Sequence, residues 1–498
     1  MGSESFESVE SPEAGAGERQ GICTMDPAPG GAVGSAGRDT RTRAGIRASA
    51  QDIDIAQVRR AVLQLSGPAL AEMLLITLVG MADLIMVGRL GPAAIAAVGL
   101  SNQPMLFASG AFMALNVGTT ALVARFIGAG RTDAANAVTR QSLILTIIAG
   151  FVFSVIGWFF SGWVIRMMGA EADVMPLGTS YLRIVAGGGL FMVLPMSLFS
   201  ALRGAGDTRT PMAINVACNL LNIMGNYILI YGKLGLPAMG VAGAALSTTL
   251  SRVIASAMGF YVVIHGRSHS PIRLSMRDSY RLDSKIIRRI LKIGIPATIE
   301  QLILRGGQLV YARIVSGFGT TIFAAHQIGM NILGLSFTPG QAFAIASTTL
   351  VGQGLGAGKP DLAEKSAMET RRLGMLVSGF MALAFILFGR QLAWLYSNDP
   401  NVINKSATVL KIVGLVQPAQ STQFILAGGL RGAGDTKFPL YVTLIGIWGV
   451  RVTLAYILGV LLGWGLVGVW MGTAVDQLVR SVLIYRRFSG GAWKGTRI

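Results

Sequence analysis

The 498-residue chain is 52% apolar and only 13% charged, whereas water-soluble domains carry about 25% charge. Too few charged side chains are present to coat a soluble core of this length, so most of the apolar surface faces something other than water, and the chain reads as a polytopic membrane protein. A porin-type barrel is disfavoured, because runs such as Leu143 to Phe160 are apolar on every face instead of alternating.

Residues 1–57 read as a disordered cytoplasmic tail: the first 50 or so are rich in Gly, Ala, Ser and Glu, hold no apolar stretch long enough for a signal-peptide core, and include Met25 as an alternative start. Twelve candidate helices follow, at about 61–88, 94–123, 138–162, 177–201, 211–232, 240–264, 289–315, 322–351, 368–389, 405–430, 438–462 and 467–488. Each is near the roughly 20 residues needed to cross hydrocarbon. A basic linker at 265–288 divides residues 58–264 from residues 289–488, six helices from six, and residues 489–498 form a second tail.

The two halves repeat. LRGAGDTRTP starts at Leu202 and LRGAGDTKFP at Leu430, an offset of 228 that also relates Pro68 to Pro296, Glu72 to Glu300, Gly91 to Gly319 and Arg252 to Arg480. An even number of helices per half makes the repeats parallel, related by an axis along the membrane normal. The expected fold is all-α, two six-helix lobes with a cleft between them. Within each RGAGD loop, Arg203 and Asp207 are placed to pair across a tight reversal.

Lys and Arg crowd alternate loops, including the central linker and the end of the chain, which places both termini and the linker in the cytoplasm of a cell-membrane protein. The formal charge of +18 is thereby explained without a nucleic-acid partner. Cys23 and Cys218 lie in a polar tail and an apolar run, so no disulfide is expected. The GQGLGAGKP stretch from Gly352 to Pro360 lacks the first Gly and the Ser or Thr of a phosphate loop. With three histidines, and no metal cluster or nucleophilic triad, an enzyme is not expected, and an ion gradient is the expected energy source.

The paired RGAGDT loops, MADLIMVGRLG (81–91), NLLNIMGNYILIYG (219–232), GVAGAALSTTLSR (240–252) and AAHQIGMNILGLSF (324–337) resemble the multidrug and toxic compound extrusion (MATE) family over about residues 58–488. The resemblance implies a twelve-helix exporter of cationic or amphipathic drugs or metabolites, working by alternating access as an antiporter against H⁺ or Na⁺. The transported ion is the only cofactor, the bilayer and small-molecule substrates are the partners, and a monomer is expected. A lipid-linked-precursor flippase and a non-transporting receptor or scaffold are the alternatives.

An ionisable group in a membrane helix costs ~2.5–3.5 kcal/mol on insertion scales and needs an explanation. Asp83 sits among Leu, Ile, Met and Val with no Lys or Arg at i±3 or i±4. By resemblance it forms the coupling site with Asn222, Asn226 and Thr248, holding H⁺ or, as the one expected metal, Na⁺; the competing reading is a structural pair with an Arg from another helix. The 228 shift leads from these four to Tyr311, Val450, Leu454 and Asp476, so the second half lacks the constellation. Glu72, Glu300, Gln103, Met105, His326, Asn331, Gln417 and Gln420 are candidates for the cleft. Inter-helix packing competes with that role for the polar ones, and Glu72 and Glu300, kept in both halves, are equally readable as architecture. Asp476 and Arg480 at i, i+4 are expected to neutralise each other, with Arg451 a second partner. No role is assigned to Arg305 or Arg313.

Overall fold

Asp54, Asp283 and Asp399 each precede a helix and accept hydrogen bonds from its first N–H groups, which fixes where three of the rods begin. The computed structural model describes residues 54–266, 269–275 and 280–496. The tail expected at 1–57 therefore falls, up to residue 53, outside the described residues, and Cys23 with it.

The first half holds α1 (Ile55–Gly88), α2 (Pro92–Gly128), α3 (Thr132–Met167), α4 (Val174–Gly187), α5 (Gly189–Gly204), α6 (Arg209–Tyr231) and α7 (Gly240–Ile264). The second holds α8 (Ser284–Ser316), α9 (Thr320–Gly356), α10 (Pro360–Trp394), α11 (Pro400–Ala433), α12 (Lys437–Leu444) and α13 (Gly465–Ser489). α4 and α5 form one rod bent by 46° at Gly188, and α12 runs on through π-helical turns at Ile445–Val452 and Ala455–Leu461. The expected twelve spans are thus twelve rods among the described residues. Eight of them are long and apolar enough to cross a membrane, nine with the bent rod. The other three, α8, α9 and α11, have 33, 37 and 34 residues and are long enough, but lack a continuous stretch as apolar as those of the eight.

The duplication is geometric as well as sequential. The 228 shift carries α2 onto α9 at both ends, and Thr132 and Arg209, where α3 and α6 begin, onto Pro360 and Lys437, where α10 and α12 begin. Gly206 (φ 93°) and Gly434 (φ 88°) hold the same left-handed turn in the two RGAGD loops, a conformation that penalises any Cβ. The expected Arg203–Asp207 pair does not form. Asp207 instead accepts from the Thr210 N–H at 2.9 Å and hydroxyl at 2.6 Å and from the His269 N–H, so it staples α6 and the linker, while Arg203 turns into the bundle. A backbone N–H and hydroxyl three residues on are simply nearer than the guanidinium.

Each half has its own apolar core. The first gathers Phe112, Leu122, Leu198, Phe199 and Ile214, and the second Val315, Ile332, Leu410, Val413 and Trp470. The division is not strict, because Ile290 and Ile293 at the start of α8, with Ile272 and Leu274 of the linker, pack into the first core. Conversely Val58 and Val62 of α1 pack with Phe343 and Ile425 of the second half. Lipid covers what remains outside. Phe159 and Phe380, on the repeat-related α3 and α10, are 73% and 75% exposed, and exposed Trp163, Trp394 and Trp464 stand near rod ends, where aromatic side chains favour the interface.

The halves meet tightly at the end of the bundle that carries the 265–288 linker. A Cβ on Gly128 would lie 2.0 Å from the carbonyl oxygen of Gln353, and one on Gly356 would lie 2.0 Å from that of Arg125. Hydrogen bonds cross here from Thr349 Oγ1 to the Arg203 carbonyl (2.9 Å) and from Gln353 Nε2 to the Gly204 carbonyl (3.1 Å). Arg59 of α1 pairs with Glu369 of α10. The chain's last described turn joins in: Trp493 is fully buried against Phe488, Lys494 reaches Asp361 and Glu364, and the Thr496 carbonyl accepts from Arg125.

Candidate functional site

Asp83 stands five residues before the end of α1, and α6 presents Asn222 and Asn226, one turn apart, toward it. Asn226 Nδ2 donates to Asp83 Oδ1 at 2.6 Å. With the Asn222 amide nitrogen turned toward Asp83, it donates to the same oxygen at 3.2 Å and its oxygen accepts from the Thr248 N–H; turned the other way, that nitrogen lies 3.4 Å from the hydroxyls of Ser247 and Thr248. The four residues expected as a cluster from α1, α6 and α7 are therefore together. Asp83 forms no ion pair among the described residues: Arg252 of α7 acts on it electrostatically but without contact. Asn226 is 1% exposed, and its Oδ1 has no hydrogen-bond partner. The set offers one carboxylate, amide oxygens and a hydroxyl, the hard ligands that suit a proton or a small cation.

The other expected residues are dispersed. Glu72 accepts from Arg203 and Asn215 at 2.6 Å each, and Glu300 accepts from Arg431 at 2.8 Å and Thr443 at 3.1 Å. The 228 shift carries Glu72, Arg203 and Asn215 onto Glu300, Arg431 and Thr443, so both glutamates serve a duplicated clamp between α1 and the α5–α6 corner and between α8 and its counterpart. Met105 is buried against Ile165, Leu182 and Ala186 in the first half. Gln417 donates to Ser336 Oγ at 2.7 Å between α11 and α9. Gln420 is buried with both amide atoms unpartnered, and Asn331 is exposed. In the second half, Asp476 is enclosed as expected, by Arg451 at 2.6 Å and Arg480 at 2.8 Å.

Gln103 and His326 do reach a common cavity, of about 210 Å³, between α2, α8, α9 and the π-helical rod. Its lining also includes Arg305, Gln308, Tyr311, Gln327, Arg451 and Thr473, beside Leu106, Phe107, Leu309 and Met330. Arg305 was legible in the sequence: like Asp83, it is a charge inside a span with no opposite charge at i±3 or i±4. Among the described residues no group of three His, Cys, Asp or Glu side chains converges to hold a metal.

Known proteins resemble this chain over most of its length. The MatE family model matches residues 68–228 and 296–457, one segment in each half. A probable multidrug resistance protein NorM from Thermotoga maritima is 32% identical over 89% of this chain and 94% of its own. The multidrug resistance protein PmpM of Pseudomonas aeruginosa is 30% identical over 86% and 91%. A multidrug resistance MATE family transporter of the MOP superfamily, solved in its outward-facing conformation, superposes with a TM-score of 0.81 at 26% identity, over 89% of this chain and 99% of that one. The chain belongs to the MatE family and is a multi-span membrane transporter.

Proposed function

We propose that the chain exports cationic or amphipathic drugs or metabolites across the cell membrane as an H⁺- or Na⁺-coupled antiporter, with Asp83 the carboxylate that exchanges the ion. The carrying observation is that Asp83 lies within a membrane span, held by two amides and by no arginine. A carboxylate neutralised by a fixed guanidinium has little use for a mobile cation; one held by neutral donors can bind and release it. The relatives' multidrug names support the substrate class, and the electroneutral Glu72 and Glu300 clamps leave Asp83 as the carboxylate available in the first half's spans.

The packing supports alternating access. With both termini and the linker cytoplasmic, the tightly joined linker end is the cytoplasmic side, and the described state faces outward. The halves then rock about this contact while substrate and ion use the cleft in turn.

The test is substrate-induced H⁺ or Na⁺ movement in everted vesicles. Asp83→Asn keeps shape and hydrogen-bonding capacity but cannot exchange a proton or supply a full charge to Na⁺. Coupled export is expected to vanish while the purified protein keeps its melting temperature. Wild-type flux in well-folded Asp83→Asn protein would reduce Asp83 to a structural residue. A flippase for lipid-linked precursors is the second reading, favoured by Arg305 and Arg451 at the cavity; it predicts lipid translocation with no response to amphipathic cations.

A further inference from the structure

The cavity between α2, α8 and α9 has a sign opposite to that of the Asp83 cluster. Its lining contains no Asp or Glu. Arg451 lines it, but Arg451 and Arg480 share the single carboxylate of Asp476, which leaves one positive charge uncompensated in a nearly fully buried trio. Arg305 adds a second: it is exposed to the cavity side of α8 and makes no ion pair or hydrogen bond among the described residues. His326, 2% exposed, lines the same space with its Nδ1 unpartnered, and Tyr311 takes the place that Asp83 has in the first half.

Uncompensated cations inside a membrane protein are costly unless something anionic or wet meets them. Around 210 Å³ is below the size of a whole drug-sized site, which runs to roughly 300 Å³ or more, but it admits one end of a molecule. The lining is also mixed: Leu106, Phe107, Leu309 and Met330 bring an apolar wall to the two guanidinium groups.

We infer that this cavity is a subsite for the anionic oxygen group, a carboxylate, of an amphipathic aromatic substrate, with Arg305 as its charge partner and the Leu106–Phe107–Leu309–Met330 wall against the ring. Guanidinium suits a planar carboxylate because its parallel N–H groups match the two oxygens. The transporter then selects zwitterions and aromatic acids as well as cations. This inference rests on the export reading above and widens its substrate class.

Two dyes separate the possibilities, since they share one xanthene cation and differ only at the benzoate: rhodamine 110 carries the free carboxylate and rhodamine 123 the methyl ester. Binding is measured by fluorescence polarisation with the full chain in phosphatidylcholine nanodiscs. Wild type is expected to prefer rhodamine 110 about tenfold, the scale of one charge-assisted hydrogen bond. Arg305→Gln is expected to bring the two dyes to parity by weakening rhodamine 110 alone, and Arg305→Lys to keep part of the preference. Equal affinities in wild type, or equal loss of both dyes in Arg305→Gln, would overturn the subsite while leaving export of rhodamine 123 intact as a reading. Binding of neither dye would overturn both. If adding phosphatidylglycerol displaces rhodamine 110 from wild type but not from Arg305→Gln, the cavity holds a lipid phosphate, and the substrate assignment is overturned.

Discussion

Glu72 and Glu300 do the same work in the two halves, and the geometry explains why a carboxylate survives there. Each is at most 4% exposed and accepts from an arginine at the end of its RGAGD corner and from a neutral donor on the next rod. Removing one partner of a buried pair leaves the other charge stranded, at a cost of about 3–5 kcal/mol. Glu72→Ala and Glu300→Ala are therefore each expected to lower the melting temperature of the purified protein markedly; an unchanged melting temperature in both would free the glutamates for a transport role. Asn222→Ala and Asn226→Ala belong to a gentler class. Each removes one amide hydrogen bond to Asp83, worth about 0.5–1.5 kcal/mol, so ion affinity measured by titration of coupled flux is expected to change about two- to tenfold, upward for H⁺ because the carboxylate loses a donor to its ionised form and downward for Na⁺ because a ligand oxygen is lost, well short of the loss in Asp83→Asn. The Asp83 constellation was legible because an acid between apolar neighbours, beside asparagines at helical spacing and a family pattern, leaves a local mark. Met105 was misplaced because α2 is apolar nearly all round, so its pattern does not say which side faces the cleft. Arg305 carried the same mark as Asp83, and only the cavity gave it a use.

At the scale of elements, glycines decide where rods touch. Gly446, in the π-helical turn, lies where a Cβ would meet Asp476 Oδ1 at 2.4 Å and Arg480 Cδ at 2.5 Å, so the rod passes close over the buried ion trio. π-turns of this kind recur at functional sites, and this one brings Arg451 round to both Asp476 and the cavity. The apolar pattern of residues 438–462 predicts the span but not the widened turns, because a local change of register hardly alters composition. The bend at Gly188 was hidden for a related reason: Ala186, Gly187, Gly188 and Gly189 read as flexible helix, and it is Thr249 of α7 that occupies the space a Cβ on Gly188 would need. Gly128 and Gly356 make the sharper test. Each approaches a carbonyl of the other half too closely for any side chain. Gly128→Val and Gly356→Val are expected to wedge the linker end apart, raising crosslinker reactivity and widening distances between spin labels on α2 and α9 near that end. Distances equal to those of the wild type would mean that the contact is not what holds the halves together.

The whole molecule is a duplication whose halves have kept their scaffold and diverged in charge. Rod lengths, left-handed glycines and glutamate clamps follow the 228 shift; the interiors do not, since one sets Asp83 between amides with Arg252 out of contact and the other shares the single carboxylate of Asp476 between Arg451 and Arg480. Two parallel six-helix halves with one side sealed form a device in which the direction of transport depends on which way the sealed end points. The orientation proposed above puts that end in the cytoplasm on the excess of Lys and Arg near it, because positive loops are retained there during insertion. The assignment can be read from two single cysteines placed in a chain whose own Cys23 and Cys218 have been replaced. Lys285, exposed in the first turn of α8, marks the linker end, and Leu234, 84% exposed in the loop after α6, marks the other. An impermeant maleimide added to intact cells is expected to label Leu234→Cys and to spare Lys285→Cys until the membrane is opened. The reverse pattern would turn the described state inward-facing, place both tails outside, and make the Asp83 cluster the end of an import cycle instead of the start of an export one.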